Sequence, residues 1–336
     1  MEVMEAQFAK YFNQVNNAFH IGLPDNYKKL SIFPIFTDLE TLSTVPYTKL
    51  DNEVKITEVS DDGSVPQLLA NNTSEFNVVI YEGEILEGLK QTRVLNTTVL
   101  LAPNTKTYIS VSCVEQGSWS GRTQYARSAH RFYDPGLRLS KQMSVRKKLE
   151  AGRGYFADQG TVWRDIDREL THRKRRSGTK SYLAAYEDEE GYSFSKGVDI
   201  DEEKQHHKYD KNEGLRVHAV KPRQVGYVLS IGENIINFEI FDSNKTLLLL
   251  WDKLYRSFIS FAERQHFLTR EITPSLDDVE KIFYEYKSSQ TRQFKTSGIG
   301  QMNELESQSS IASVLTLNNN LIHSTGFIKN KETWTY

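Results

Sequence analysis

The chain has 336 residues, and its 42 Lys and Arg against 44 Asp and Glu leave a net charge of -2. This balance excludes a global bias toward nucleic acid or anionic membrane. The single cysteine, Cys113, excludes an internal disulfide and a thiolate metal site, which fits a reducing compartment. The N-terminus lacks an apolar core run and no apolar stretch is long enough to span a bilayer, so we expect a cytoplasmic protein without membrane contact.

The first part of the chain changes from a helical to a β pattern. Apolar residues at helical spacing predict an amphipathic helix near residues 3–19. Short apolar runs separated by turn residues follow, and we expect residues 30–119 to form one antiparallel β unit. Within it, residues 94–101 and 106–114 flank the turn-forming residues 102–105, which predicts a hairpin.

Charge is segregated in the middle of the chain. Residues 121–180 contain 16 Lys or Arg and 6 acids, whereas acids cluster at 187–190 and 199–203. The basic and acidic segments are candidates to neutralise each other. Apolar residues within 162–170 predict a helix, and residues 187–215 carry so few large aliphatic residues that we expect a mobile or loop-like insertion.

The last third predicts two hairpins and two helices. Residues 226–241 align without gaps to residues 312–327 with five identities, which favours a structural repeat, although β patterning alone could produce two similar hairpins. Asp242 or Ser243 is positioned to cap the first helix. Ser275 and Asp278 have capping-box spacing for the second.

These patterns define the expected fold class and organisation. We predict an α+β protein with an antiparallel, sandwich-like β-rich body, flanking helices and a charged, partly mobile insertion. The chain length permits one large unit with insertions or two packed domains. The pattern divides into an N-terminal lead-in (1–29), a β unit with a polar cluster (30–120), a charged helical and loop insertion (121–222) and a hairpin and helix block (223–336).

Two carboxylates stand out in the β unit. If residues 75–86 form one strand, Glu82 and Glu84 continue its apolar row and are candidates to bind a cation, act as acid and base, or accept ligand hydroxyl groups. The alternative is that the strand ends at Tyr81 and both acids are solvated or paired with Lys90 and Arg93.

Cationic and amide donors follow these acids. Lys90, Gln91 and Arg93 precede a strand, and arginine is suited to bidentate capture of carboxylate or phosphate. We expect Asn96 to add a further polar contact to this cluster. The alternative for Arg93 is an internal salt bridge to Glu84 or Glu87.

The end of the next strand carries further candidates. Cys113 falls on the apolar face of that strand, where an unreactive core thiol is the usual outcome. Glu115, Gln116 and Trp119 lie beyond the strand end, a better place for ligand contacts, although Trp119 could instead pack on the core.

Other classes of site receive less support. The eight histidines show no metal-binding spacing, so we expect no metal site, and the sequence does not indicate a cofactor. The basic run 173–176 lacks a recognised nucleic-acid module and adjoins an acidic tract, which disfavours nucleic acid as a partner.

The chain resembles the ADP-ribosylglycohydrolase- and rhodanese-phosphatase-associated protein domain family. The segments that carry the resemblance are 56–60 with 63–66, 83–98, 111–119, Gln159-Gly160 with Trp163, and 225–257. The resemblance implies a link to ADP-ribose, NAD-derived nucleotides or phosphate esters. It implies no particular reaction or catalytic residue.

Two functional hypotheses follow. In the first, a ligand-handling domain binds a nucleotide-like molecule, with Glu82, Glu84 and Glu115 as acid–base groups. The ligand-binding residues would be Lys90, Gln91, Arg93, Asn96, Gln116 and Trp119. In the second, a non-enzymatic interaction or scaffold protein forms a homo-oligomer, and the same polar cluster supplies structural ion pairs.

Overall fold

The computed structural model describes residues 19–50, 53–117, 119, 123–186, 218–264, 272–287 and 289–329. The expected mobile stretch at 187–215 lies outside these residues. The expected N-terminal helix also lies outside them, apart from Phe19, which begins the first strand.

The structure is α+β and rich in antiparallel strands, as predicted. The strands are β1 (Phe19–Ile21), β2 (Asp25–Tyr27), β3 (Leu30–Thr37), β4 (Tyr47–Lys49), β5 (Val54–Thr57), β6 (Gln67–Asn72), β7 (Asn77–Ile80), β8 (Glu84–Glu87), β9 (Arg93–Leu95), β10 (Val99–Leu101), β11 (Thr105–Cys113), β12 (Arg127–Phe132), β13 (Gln224–Ile231), β14 (Asn234–Phe241), β15 (Gln290–Lys295), β16 (Gln301–Glu306), β17 (Ser310–Leu317) and β18 (Asn320–Ile328). The helices are α1 (Pro135–Glu150), α2 (Gln159–His172), α3 (Asn244–Arg264) and α4 (Leu276–Lys287). Among the described helices, none is long and apolar enough to cross a membrane.

The largest sheet has nine strands and is built around the predicted repeat. Its order is β1-β3-β13-β14-β18-β17-β16-β15, with β2 also paired to β3. The hairpins β13–β14 and β17–β18 have register shifts at aligned positions, Leu229/Ser230 and Leu315/Thr316. Their inner strands meet with Glu239 opposite Thr325, which are also aligned positions. The prediction of two hairpins with related geometry is therefore confirmed.

Two smaller sheets complete the β structure. One has the order β12-β8-β9-β11-β6-β5 and the other β10-β7-β4. The Ala126 N–H donates to the Ile56 carbonyl at 2.9 Å, so the outer strands of the six-stranded sheet approach each other and the sheet is strongly curved. A core of aliphatic residues from both small sheets fills the space between them.

The prediction of a single antiparallel unit over residues 30–119 is wrong in two respects. Strand β3 pairs with β13 and belongs to the nine-stranded sheet, and β4 runs parallel to β7. The expected hairpin around residues 102–105 also differs, because β9 pairs with β11 while β10 pairs with β7. Strand β9 ends at Leu95, although the Asn96 N–H still donates to the Ser110 carbonyl at 3.0 Å, and the Asn96 side-chain amide bonds to Ser110 Oγ and the Tyr155 carbonyl.

Helices cover both faces of the large sheet. Helix α3 packs an apolar stripe, including Leu250, Leu254 and Phe258, on the face that also meets α1 and the three-stranded sheet. Helix α4 packs on the opposite face. The expected caps are present: Ser243 Oγ accepts the Thr246 N–H, and Ser275 with Asp278 forms a reciprocal capping box.

Candidate functional site

Glu82 is buried in a closed ion cluster. The strand ends at Ile80, and a turn containing Gly83 at φ 83° directs Glu82 toward α1. Its carboxylate accepts hydrogen bonds from Arg138 Nε at 2.9 Å and Nη2 at 2.7 Å, and from Lys141 Nζ at 2.7 Å. Arg138 also pairs with Glu239 on β14, so the cluster joins α1 to the large sheet.

The space beside this cluster is too small for a ligand. A cavity of about 10 Å³ adjoins Glu82 and is lined by Thr97, Thr98, His323 and other buried residues. That volume corresponds to roughly one water molecule. A larger cleft of about 620 Å³ lies on the surface beside β15 and the β17–β18 turn, but none of the predicted site residues lines it.

Glu84 and Asn96 are also committed to internal contacts. Glu84 is buried, accepts a hydrogen bond from Ser128 Oγ, and lies 3.9 Å from Lys253 Nζ. Asn96 Oδ1 accepts a hydrogen bond from Ser112 Oγ at 2.7 Å, in addition to the bonds that its Nδ2 donates. Among the described residues, neither side chain forms a hydrogen bond or an ion pair with Arg93.

A second polar group forms where β9 begins and β11 ends. Arg93 and Cys113 are directly opposite each other in the antiparallel ladder, so their side chains lie on the same face. Arg93 is fully buried, and its Nη1 lies 3.9 Å from the Cys113 sulfur. We refer to Arg93, Cys113 and the side chains around them as the Arg93 site.

The Arg93 guanidinium is incompletely paired. Its Nε and Nη2 are buried without a hydrogen-bond partner among the described residues. These two atoms form the edge that grips a carboxylate elsewhere in this chain, because Arg138 uses the same edge to hold Glu82. Burial lowers the pKa of Arg93, and the neighbouring Cys113, Glu58 and Glu115 act in the opposite direction.

Cys113 is held as a protonated thiol. Its sulfur lies 2.8 Å from Gln91 Oε1 and 2.9 Å from the Glu115 carbonyl, and two such acceptors favour S–H over a thiolate. Burial raises the pKa of the thiol, which outweighs the opposing influence of Arg93. The Gln159 side chain fixes the Cys113 peptide by accepting its N–H at 2.9 Å and donating to its carbonyl at 2.7 Å.

Glu115 and Gln116 border the same site. The Glu115 carboxylate is buried and accepts bonds from the Thr92 N–H and hydroxyl and from the Thr179 hydroxyl. Gln116 is exposed, and its backbone carbonyl lies 3.5 Å from Gln91 Nε2. Glu115 therefore shapes the site while its oxygens are bonded to neighbouring hydroxyl groups.

The outer side of the Arg93 site is formed by Trp119 and Lys90. The Trp119 ring lies 5.7 Å from both the Arg93 guanidinium carbon and Lys90 Nζ, a cation–π arrangement. Trp119 is 43% exposed. The indole thus lies against a fully buried arginine and is itself partly exposed to solvent.

Sequence reasoning missed Glu58, the acid nearest to Arg93. Glu58 Oε1 lies 4.0 Å from Arg93 Nη2 and accepts the Lys90 backbone N–H at 3.1 Å. The curvature of the six-stranded sheet brings residue 58, just after β5, toward β9. Only its occurrence within segment 56–60 of the family resemblance could have suggested a role.

The predicted site residues are thus divided between two places. Six of them meet at the Arg93 site: Lys90, Gln91, Arg93, Glu115, Gln116 and Trp119. The other three, Glu82, Glu84 and Asn96, lie in separate internal networks. Much of the family resemblance also falls at the Arg93 site. Residues in or around the site come from segments 56–60, 63–66, 83–98, 111–119 and 159–163. Within the described residues, no group of three or more His, Cys, Asp or Glu side chains could hold a metal ion.

Fold and site define an α+β protein with a covered cationic site at strand ends of a curved antiparallel sheet. The chain belongs to the ARPP-1 family, the ARG and Rhodanese-Phosphatase-superfamily-associated Protein domain, whose model matches residues 18–327. The resemblance noted in the sequence is therefore confirmed. No curated protein and no solved structure gives a significant match to the chain.

Proposed function

We propose that this protein binds an anionic, nucleotide-like small molecule, such as ADP-ribose or an NAD-derived nucleotide, at the Arg93 site. One observation carries the proposal: the Nε and Nη2 edge of a fully buried arginine has no hydrogen-bond partner in the described part of the chain. Glu58 lies at ion-pair distance from Arg93 but accepts no hydrogen bond from it. Buried N–H groups of a charged side chain are costly without an acceptor, so the edge favours an anionic acceptor. A phosphate or carboxylate would accept both N–H groups at once.

The surroundings of Arg93 support a nucleotide more than a simple anion. Lys90 adds a second positive charge beside Trp119. The exposed surface of the indole offers a stacking platform, and stacking of one base on an aromatic side chain contributes about 1–3 kcal/mol. The family description associates the domain with ARG proteins, which agrees with an ADP-ribose context.

Access to Arg93 requires a rearrangement of the Trp119 side chain. The guanidinium is fully buried while the indole is half exposed, so the ring must turn away before a phosphate reaches the Nε and Nη2 edge. Ligand binding should therefore change the environment of Trp119. The proposal is for binding and includes no catalytic step. The thiol of Cys113 is protonated and the Glu115 oxygens are already hydrogen-bonded, so neither group is set up as a nucleophile or a base.

Thermal denaturation of the full chain tests this function. ADP-ribose, NAD and AMP should raise the melting temperature, with ADP-ribose at about 100 times its Kd adding about 2.7 kcal/mol of stability, whereas uncharged ribose should not. Arg93→Lys keeps the charge but loses the planar edge, so its affinity for ADP-ribose should fall at least tenfold. Arg127→Lys, on an exposed position of β12, is the matched control and should respond like the wild type.

Two results would overturn the proposal. One is the lack of any nucleotide-induced shift in the wild type. The other is an equal shift in Arg93→Lys, provided that the unliganded variant unfolds cooperatively, because the ligand would then bind elsewhere.

A second candidate is the interaction or scaffold protein that forms a homo-oligomer. Its support is a pair of exposed leucines on α3, Leu248 at 53% and Leu249 at 48% exposure, which a second copy could cover. A mass measured by light scattering separates the two proposals, because a monomeric protein with ligand-dependent stability fits only the first. A cytoplasmic location belongs to both and is supported by the single buried thiol.

A further inference from the structure

The Arg93 site contains a hydrogen-bond acceptor without a donor, close to the Arg93 donors that have no acceptor. Glu58 is nearly buried, with 11% of its side chain exposed. Its Oε1 is bonded to the Lys90 backbone N–H, but its Oε2 has no hydrogen-bond partner among the residues that the structure describes. A buried carboxylate oxygen without a donor has an uncompensated desolvation cost, as do the two Arg93 nitrogens without an acceptor.

These two groups fail to satisfy each other. An arginine and a carboxylate that can approach freely form short bonds, as Arg138 and Glu82 do at 2.7 and 2.9 Å. Arg93 Nη2 and Glu58 Oε1 are instead 4.0 Å apart, beyond hydrogen-bond distance. The site thus keeps an acceptor oxygen and two N–H donors available within one small region.

The turn at Gly63 limits the space around the carboxylate. Gly63 has φ 76°, and a Cβ there would lie 3.1 Å from Glu58 Oε2, 3.1 Å from Lys90 Cδ and 3.2 Å from Trp119 Cζ2. The turn, the acid, the lysine and the indole therefore approach one another around the same space. A ligand group that reaches the Glu58 carboxylate also comes close to Arg93, whose Nη2 lies 4.0 Å from Glu58 Oε1.

We infer that Glu58 is the specificity-determining residue of this site and selects phosphorylated ribose over bare anions. This inference rests on the proposed function. An anionic phosphate satisfies Arg93 but is repelled by the Glu58 charge, whereas a sugar hydroxyl donates to Glu58 Oε2. A ligand that carries both groups, a ribose phosphate, complements the donors and the acceptor together.

The test compares two probes, ribose 5-phosphate and inorganic phosphate, by calorimetric titration into the full chain. The wild type should bind ribose 5-phosphate more tightly. In Glu58→Gln the affinity for inorganic phosphate should rise about fivefold, because the like charge is removed. The affinity for ribose 5-phosphate should not rise. The Kd for inorganic phosphate divided by the Kd for ribose 5-phosphate should therefore fall at least fivefold.

Asp61→Asn is the matched control. It removes one negative charge from an exposed position in the neighbouring turn and should leave the ratio unchanged. Glu58→Asp retains the charge and should still discriminate against inorganic phosphate. This second variant separates loss of charge from loss of the native side-chain length.

The outcomes distinguish this inference from the proposed function. An unchanged ratio in Glu58→Gln, with binding still dependent on Arg93, would overturn the role of Glu58 and leave the Arg93 site intact. An equal change in Asp61→Asn would also overturn it, because general charge would explain the effect. A wild type that binds neither probe nor ADP-ribose would overturn the proposed function itself.

Discussion

The ion cluster around Glu82 makes a quantitative prediction about stability and pH. Burial alone would raise the pKa of Glu82, but the charges of Arg138 and Lys141 outweigh it and hold the pKa at about 2, against an ordinary value of 4.5. This difference corresponds to about 3 kcal/mol of stabilisation of the ionised folded state. Glu82→Gln removes that charge and leaves Lys141 without its carboxylate partner.

The pH dependence follows from the direction of this shift. Because the folded pKa is lowered, the stabilisation is present above pH 4.5 and is lost as the pH falls through 4.5 toward 2. The variant should therefore be less stable than the wild type by about 3 kcal/mol at pH 7, and by only about 1.4 kcal/mol at pH 3. Arg138 keeps Glu239 as a partner, which keeps the loss at the lower end of the usual range for broken buried ion pairs.

Urea denaturation followed by circular dichroism at several pH values between 3 and 8 measures this difference. Glu75→Gln, at an exposed position before β7, is the control and should change stability by less than about 0.5 kcal/mol. A loss in Glu82→Gln below about 1 kcal/mol at pH 7, or the same loss at pH 3 and pH 7, would refute the reasoning.

Two further predictions concern packing and thiol chemistry. Gly298→Ala places a Cβ 2.1 Å from the Leu100 carbonyl oxygen and should lower the free energy of unfolding by about 2 kcal/mol, whereas Gly178→Ala, with open space around it, should be neutral in the same denaturation assay. Cys113 is buried and protonated, so Ellman's reagent should label the native protein only as fast as it unfolds; rapid labelling of the native protein would contradict the assignment.

Local sequence patterns predicted the strands, hairpins and helices whose formation depends on residues close together in the chain. The gapless alignment of 226–241 with 312–327 predicted two hairpins, and the structure adds that even their register shifts coincide. The Ser275 capping box and the helix over 162–170 needed only nearby residues. Sheet membership was harder, because β3 finds its partner β13 almost 200 residues later.

The roles of the acids could not be predicted from local patterns. Glu82 is 56 residues from Arg138 and 59 from Lys141 in the sequence, and nothing near residue 82 indicates that two cations of the basic segment will be buried against it. Pattern reading therefore offered an open site or a solvated surface, and the structure has a closed ion cluster. Glu58 was missed because only the curvature of the six-stranded sheet brings it to Arg93.

The central claim is that the unpaired edge of Arg93 binds the anionic group of a nucleotide-like ligand. The most direct measurement is the Arg93 Nε–H resonance in a ¹H–¹⁵N spectrum of the full chain, assigned by its loss in Arg93→Lys, during titration with ADP-ribose. We predict a saturable shift at Arg93 Nε and none at Arg127 Nε. Saturable binding of ADP-ribose that leaves the Arg93 resonance unmoved, or no binding at all, would contradict the claim.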